Sequence, residues 1–374
     1  MADSDPRLKN GNPRYDGVGA GSEPAPTLNT SRSGGEGDER GSSRQDWRHL
    51  LPGLVVSLAA LGIVLYLAKP GRMIAALRQA NFLLVIGGGL ITLVWLLVRG
   101  MAWRTLLQDK VSLRQTFFTL NEGYLLNNFL PLRLGEVGRA YLLGQKSGLG
   151  FWRVLTSILL ERGLDVLLTV AMLLGALPFV AGVTNTRGAA LGAGGLVLAA
   201  MIGLYLVARF PDQFRRLYER LTSRVGFLSR LGKQMLPNFL SGLQVLTEPK
   251  RFLLAGGWFL LNLAVAVTQY YIIMLAFFPH ARPLWAIFCL AVAALGLGLP
   301  SSPGGIGVFE GAVMGALAVF KLDPGNALAY AFTLHFVSYV ITGLLGSYAL
   351  ARDGESIFHL YDRVRRVRKA EGQN

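Results

Sequence analysis

Two short stretches hold most of the side chains able to do chemistry in this chain. The first reads Asn127-Asn128-Phe129-Leu130-Pro131-Leu132-Arg133-Leu134-Gly135-Glu136-Val137-Gly138-Arg139. Arg133, Glu136 and Arg139 recur at steps of three, so on a helix they share a face with the carboxylate between two guanidiniums. That leaves one positive charge in excess and a fork of donors on each arginine, a geometry suited to a phosphate. A structural ion pair would use the same triplet. The second stretch runs from Leu299-Pro300-Ser301-Ser302-Pro303 to Glu310 and offers two hydroxyls and a carboxylate. Glu310 is a candidate proton or cation site there. A third set, Glu161-Arg162-Gly163-Leu164-Asp165, places Glu161 and Asp165 one helical turn apart, with Arg162 three before Asp165. Ionisable groups inside an apolar span are costly and face a cavity or one another. Here they lie near one end of the span, where snorkelling lowers the cost, and pairing with Arg133 or Arg139 is the structural reading. Asn127, Asn128, Arg133, Glu136, Arg139, Glu161, Arg162, Asp165, Ser301, Ser302 and Glu310 are the candidate substrate-binding residues.

Other chemistries lack their residues. The Gly304-Gly305-Ile306-Gly307 turn has no lysine of a phosphate-binding loop. No Gly-x-Ser-x-Gly surrounds Ser301 or Ser302, and no DxD-type pair marks a nucleotide-sugar transferase. Cys289 is the single cysteine, and His49, His280, His335 and His359 are scattered with no metal-ligand spacing. We therefore expect no metal, no cofactor and no enzyme.

The elements that must carry these residues are apolar helices. Spans are expected at about 50–68, 82–98, 155–180, 189–207, 252–278 and 328–350, each near the length that crosses a hydrocarbon core of about 30 Å. Two further segments, 116–143 and 283–320, are broken. In both, an apolar helix reaches Leu-Pro, a glycine follows four residues after the proline, and a carboxylate-bearing helix resumes. Proline removes a donor and glycine permits a break, and in lipid the freed groups need protein or water around them. Such breaks in corresponding halves point to an inverted repeat around a central site; two turns at the membrane surface are the alternative. Gly307, Gly311 and Gly315 form a small-residue stripe suited to close helix packing.

Hydrophobic residues make up 52% of the 374-residue chain and charged residues 16%, well below the roughly 25% usual in soluble domains. The fold class is thus all-α, a polytopic membrane bundle of about six full spans and two broken or re-entrant hairpins. The net charge of +15 sits at the ends of spans, a distribution expected from anionic lipid at the cytoplasmic face rather than from nucleic-acid binding. The 209–251 segment carries nine Lys/Arg against three Asp/Glu, and the tail from 351 six against four. Both are assigned to the cytoplasm, as are both termini; Lys69, Arg72 and Arg78 between the first two spans fit that topology poorly. Residues 1–48 have the composition of a disordered tail, 49–350 form the membrane domain, 211–248 a cytoplasmic amphipathic segment suited to a membrane surface or to packing on loops, and 351–374 a basic tail.

The three ordered motifs, Asn128-Phe129-Leu130-Pro131-x2-Leu134-Gly135-Glu136-x2-Arg139, Glu161-Arg162-x2-Asp165 and Pro300-Ser301-Ser302-Pro303-Gly304-Gly305-Ile306-Gly307-Val308-Phe309-Glu310, resemble the flippase-like transmembrane domain of lysylphosphatidylglycerol synthases over roughly residues 50 to 350. The resemblance implies movement of an aminoacylated lipid across the bilayer, with aminoacyl transfer left to a separate soluble domain. Only 24 residues follow residue 350, so synthase activity is not carried over. The function expected is translocation of a phospholipid or lipid-linked substrate across the cytoplasmic membrane without nucleotide hydrolysis. The alternative is a membrane enzyme or accessory subunit acting on a lipid-linked sugar or aminoacylated lipid. Anionic membrane lipids are the expected partners, with a homo-oligomer or a partner enzyme beside them.

Overall fold

A computed structural model describes residues 70–130, 134–182, 186–222, 248–298 and 302–354, with isolated positions at 58, 62, 66, 236, 237, 239, 240 and 243. The expected tail 1–48, the span at 50–68 apart from its isolated positions, most of 223–248 and the basic tail from 355 lie outside the described residues.

The chain folds as helices throughout the described residues: α1 Pro70–Gln79, α2 Phe82–Leu106, α3 Leu113–Phe129, α4 Leu134–Ser147, α5 Phe151–Val180, α6 Thr186–Arg209, α7 Pro211–Thr222, α8 Pro249–Leu275, α9 Pro283–Gly296, α10 Val308–Ala318 and α11 Pro324–Arg352. Five helices among the described residues, in α2, α5, α6, α8 and α11, are long and apolar enough to cross a membrane. Their outward faces fit that setting. On α2, Phe82, Leu83, Ile86, Leu90, Val94 and Leu97 are all exposed, an apolar stripe at helical spacing that water would not tolerate but acyl chains do.

Local chemistry sets the helix starts. Asn81 accepts from the Leu83 and Leu84 amides at the head of α2, Ser112 and Gln115 form a capping box on α3, and Asp323 accepts from Asn326 with Pro324 behind it at the head of α11. Each satisfies amides that the first turn leaves without partners. α2 runs past Val98, where the apolar run was expected to end, as far as Leu106. It can do so because Arg99 finds carboxylates inside the bundle. α7 carries Leu217 and Leu221 exposed beside Arg215, Arg216 and Arg220, as a helix lying on an anionic surface would.

The two broken segments are hairpins. α3 packs on α4, and α9 packs on α10. Gly315, the last of the glycine stripe, is exposed with open space around it, and within the second hairpin α9 comes close to α10 at Gly296, where an added Cβ would lie 2.8 Å from that of Ala312.

The helices repeat. A shift of 169 residues carries Leu130-Pro131 onto Leu299-Pro300, and the same shift carries α2 onto 251–275, where α8 spans Pro249–Leu275. It carries α4 onto 303–316, against Pro303–Gly305 and α10, and α5 onto 320–349, against α11. Packing obeys the same exchange: α2 lies on α8, while α3 lies on α11 and α9 on α5. Each hairpin is thus held by the other half's span. With three crossings (α2, α5 and α6) between equivalent points, α8 runs opposite to α2 and the hairpins enter from opposite sides. This is the inverted arrangement that the paired Leu-Pro breaks pointed to.

Candidate functional site

The hairpins meet where α3 packs on the short 3-10 turn Pro303–Gly305. Beside them lies a cavity of about 610 Å³, within the roughly 300–1,000 Å³ range of ligand cavities. Its lining is mixed: Arg99, Tyr124, Arg162, Asp165, Asn262 and Gln269 bring polar groups to it, and Val166, Leu263, Leu290, Leu295 and Leu334 apolar ones.

Arg99, Arg162 and Asp165 in this lining are the face of a larger ion-pair network. Arg99 on α2 donates to Glu161 at 2.5 Å, to both Asp165 oxygens on α5, and to Asn262 Oδ1 on α8 at 3.3 Å. Arg139 on α4 meets Glu161 at 3.0 Å and Glu136 at 2.8 Å. Arg162 meets Glu136 at 2.7 Å and Asp165 at 3.5 Å. Three arginines thus balance three carboxylates across α2, α4 and α5. Trp103 lies under the Arg139 guanidinium, 4.7 Å from ring centroid to charge, and Trp95 stands 5.5 Å from Arg99. Those faces add cation–π attraction where water is excluded. Glu161 is 1% exposed and ten residues into α5, about 15 Å along its axis. At that depth snorkelling gives little relief, and Glu161 is neutralised by pairing with Arg139, one of the two partners expected for it, and with Arg99.

Hydrogen bonds hold the network's walls together. Gln269 Nε2 donates to Thr92 Oγ1 at 2.9 Å and Asn262 Nδ2 to the Trp95 carbonyl at 3.2 Å, tying α8 to α2. At the other hairpin, Glu310 Oε2 accepts the Gly307 amide at 2.6 Å and Oε1 lies 2.5 Å from His335 Nδ1; His335 Nε2 lies 3.1 Å from the Gly304 carbonyl.

The structure separates the predicted residues into layers. Asn128, Arg162 and Asp165 line the cavity. Asn128 also donates to Thr342 Oγ1 at 3.2 Å. Glu136, Arg139 and Glu161 stand behind them and position Arg99 and Arg162. Asn127 spans the first break, its Oδ1 accepting the Gly135 amide at 2.8 Å. Ser302 donates to the Ile306 carbonyl at 3.1 Å across the second break, and Glu310 serves as cap and histidine partner. Arg133 and Ser301 lie outside the described residues. Sequence reasoning missed Arg99 and His335. Arg99 sits where positive flanks are expected, but the apolar residues continuing to Trp103 were a signal that it lies inside the span.

Another ionic cluster closes the outer end of the first hairpin. Lys146 on α4 donates to both Glu122 oxygens at 3.0 Å and to Asp353 just beyond α11. Burial would raise the Asp353 carboxyl, but hydrogen bonds from Arg352 and Lys146 prevail and hold it at about 2. Among the described residues no group of three metal-ligating side chains comes together.

The profile of the lysylphosphatidylglycerol synthase TM region matches residues 50–346. The chain belongs to this family. Among curated family relatives, the glycosyltransferase AglD of Haloferax volcanii is 25% identical over 78% of this chain and 52% of its own length. Two UPF0104 membrane proteins of Methanothermobacter thermautotrophicus are 24% and 27% identical, covering 81% and 82% of this chain and 95% of their own lengths. No solved structure matches. The glycosyltransferase corrects the expectation that the chain is no enzyme: a relative aligned over most of the membrane domain carries an enzyme's name, although this chain spans only about half its length. The expectation rested on the lack of a catalytic motif, and a network of buried carboxylates and arginines needs no motif of fixed spacing.

Proposed function

We propose that this protein binds the phosphate-bearing head group of a lipid or lipid-linked substrate in the cavity and carries it across the cytoplasmic membrane without nucleotide hydrolysis. The observation that supports this most is that one cavity is lined both by Arg99 and Arg162 and by apolar side chains such as Leu263, Leu290 and Leu295. A lipid needs both surfaces in one site: donors in a fixed fork for the phosphate and hydrocarbon for the chain. Asp165 now occupies the Arg99 fork through both oxygens, and a phosphate presents the same pair of acceptors. Broken hairpins entering from opposite sides supply a site that either half can uncover. The basic α7 side is placed in the cytoplasm, with anionic lipid as the partner there.

Reconstitution tests this. Liposomes holding the purified protein should move fluorescent phospholipids or polyprenyl phosphates between leaflets, and Arg162→Gln should slow that movement while the protein stays folded. Movement no faster than in protein-free liposomes, with either lipid class, overturns the reading. The glycosyltransferase relative favours a second reading, in which the same site presents a lipid-linked sugar for reaction. It is tested by adding polyprenyl-phosphate sugars and following sugar transfer rather than movement.

A further inference from the structure

The Glu310–His335 pair lies apart from the arginine network, and its hydrogen bonds can be counted. The Gly304 carbonyl can only accept, so His335 Nε2 must carry a proton to meet it at 3.1 Å. Nδ1 then stands 2.5 Å from Glu310 Oε1, a distance that requires one proton between nitrogen and oxygen. The second carboxylate oxygen is taken by the Gly307 amide at 2.6 Å. Every polar atom of the pair is therefore satisfied while one exchangeable proton is held, as imidazolium with carboxylate or as imidazole with carboxylic acid. When that proton leaves, a ring lone pair faces a carboxylate and the contact becomes repulsive.

The repulsion would act on the hairpin tip. Gly304, Gly305 and Gly307 all have positive φ, and the turn they form meets His335 through the Gly304 carbonyl and Glu310 through the Gly307 amide. His335 and Gly304 both line the cavity, so the proton has a route to water there. Among the described residues neither partner has a second ion-pair partner. The titratable and charged groups facing the same space are Tyr339 on α11, whose ring stacks edge-on to His335 at 4.7 Å, Tyr270 from α8, Tyr124 from α3, Arg99 from α2, and Arg162 and Asp165 from α5. α9 adds none to the lining, its Cys289 being buried in the core.

We propose that Glu310 and His335 form a one-proton site that latches the tip of the second hairpin, so that proton release opens the cavity and couples lipid movement to a pH gradient. The coupling rests on the transport reading above; the latch does not. The test uses the whole protein in lipid nanodiscs with Ile306→Cys as reporter, since Ile306 lies in the turn and is exposed. Its reaction rate with a small permeant thiol reagent is measured from about pH 5 to about pH 9 and divided by the rate for the same cysteine in Glu310→Gln, which cancels thiol ionisation. Glutamine keeps an acceptor for Gly307 and a donor for His335 but cannot release a proton. The ratio should rise with pH, by up to roughly tenfold per unit, the limit for one-proton release. His335→Gln should remove the rise in the same way and stands in if Glu310→Gln fails to fold. A ratio that does not change with pH overturns the latch. In proteoliposomes, net lipid movement should follow an imposed pH gradient. Movement indifferent to the gradient overturns the coupling and leaves the transport reading standing, whereas a pH-dependent latch with no lipid movement supports the latch and overturns that reading.

Discussion

Arg139 and Asp165 show how two charges of one network take different work. Arg139 is 1% exposed and lies between Glu136, Glu161 and the Trp103 face. Removing one partner of such a buried cluster leaves charge uncompensated and costs about 3–5 kcal/mol. Arg139→Ala is therefore expected to lower the unfolding midpoint strongly in detergent. An unchanged midpoint together with lost lipid binding would make Arg139 a ligand-binding group instead. Asp165 faces the cavity and holds the Arg99 fork that a phosphate would take. Asp165→Asn removes that competing charge, so binding of a phosphate-bearing lipid to the purified protein should tighten. Weaker binding would show that Asp165 positions the arginine more than it competes for it.

At the level of elements, the breaks need particular residues to exist at all. Gly304 has φ +70, and a Cβ there would fall 1.1 Å from Tyr339 Oη, so Gly304→Ala meets both backbone strain and a clash. Gly315 sits within α10 with nothing around it, and alanine there should be neutral or stabilise by up to about 1 kcal/mol. Thermal unfolding of the two variants side by side checks the contrast, and equal midpoints would mean the tip rearranges freely. The first hairpin is clamped to the end of α11 by Lys146 and Asp353. Because the Asp353 carboxyl is held at about 2 in the folded protein, below its usual 3.8, its stabilisation is complete above that usual value and fades as pH falls toward the lower one. Asp353→Asn should thus be less stable than the parent at neutral pH, with the gap closing between about pH 4 and about pH 2. A constant gap would assign the effect to something other than the charge.

Across the whole molecule, the inverted halves fix which ends share a side. α7, the Lys146 cluster and the end of α11 fall on one side, and the α1–α2 junction, the α8–α9 loop and the start of α11 on the other, where Arg72 and Asp323 approach to 3.9 Å. That pair offsets part of the basic charge that fitted the first loop poorly. In intact cells, His280→Cys in the α8–α9 loop should react with an impermeant thiol reagent, while Arg216→Cys on α7 should react only after permeabilisation. The opposite pattern would invert the assignment to the cytoplasm without disturbing the fold.

The places of five spans, the two Leu-Pro breaks and the exclusion of a soluble fold were legible in the chain itself, because apolar runs of crossing length and residues that cannot continue a helix act locally. The Glu136, Arg139, Glu161, Arg162 and Asp165 cluster was legible too, since charge inside an apolar span must be paired. What they pair with was not. Arg99 lies 62 residues from Glu161 and 163 from Asn262, and His335 lies 25 residues from Glu310; no local spacing links such positions. The division between cavity lining and buried support was likewise decided only when each half's hairpin packed on the other half's span, which turned Arg162 and Asp165 toward the cavity and buried Arg139 behind them.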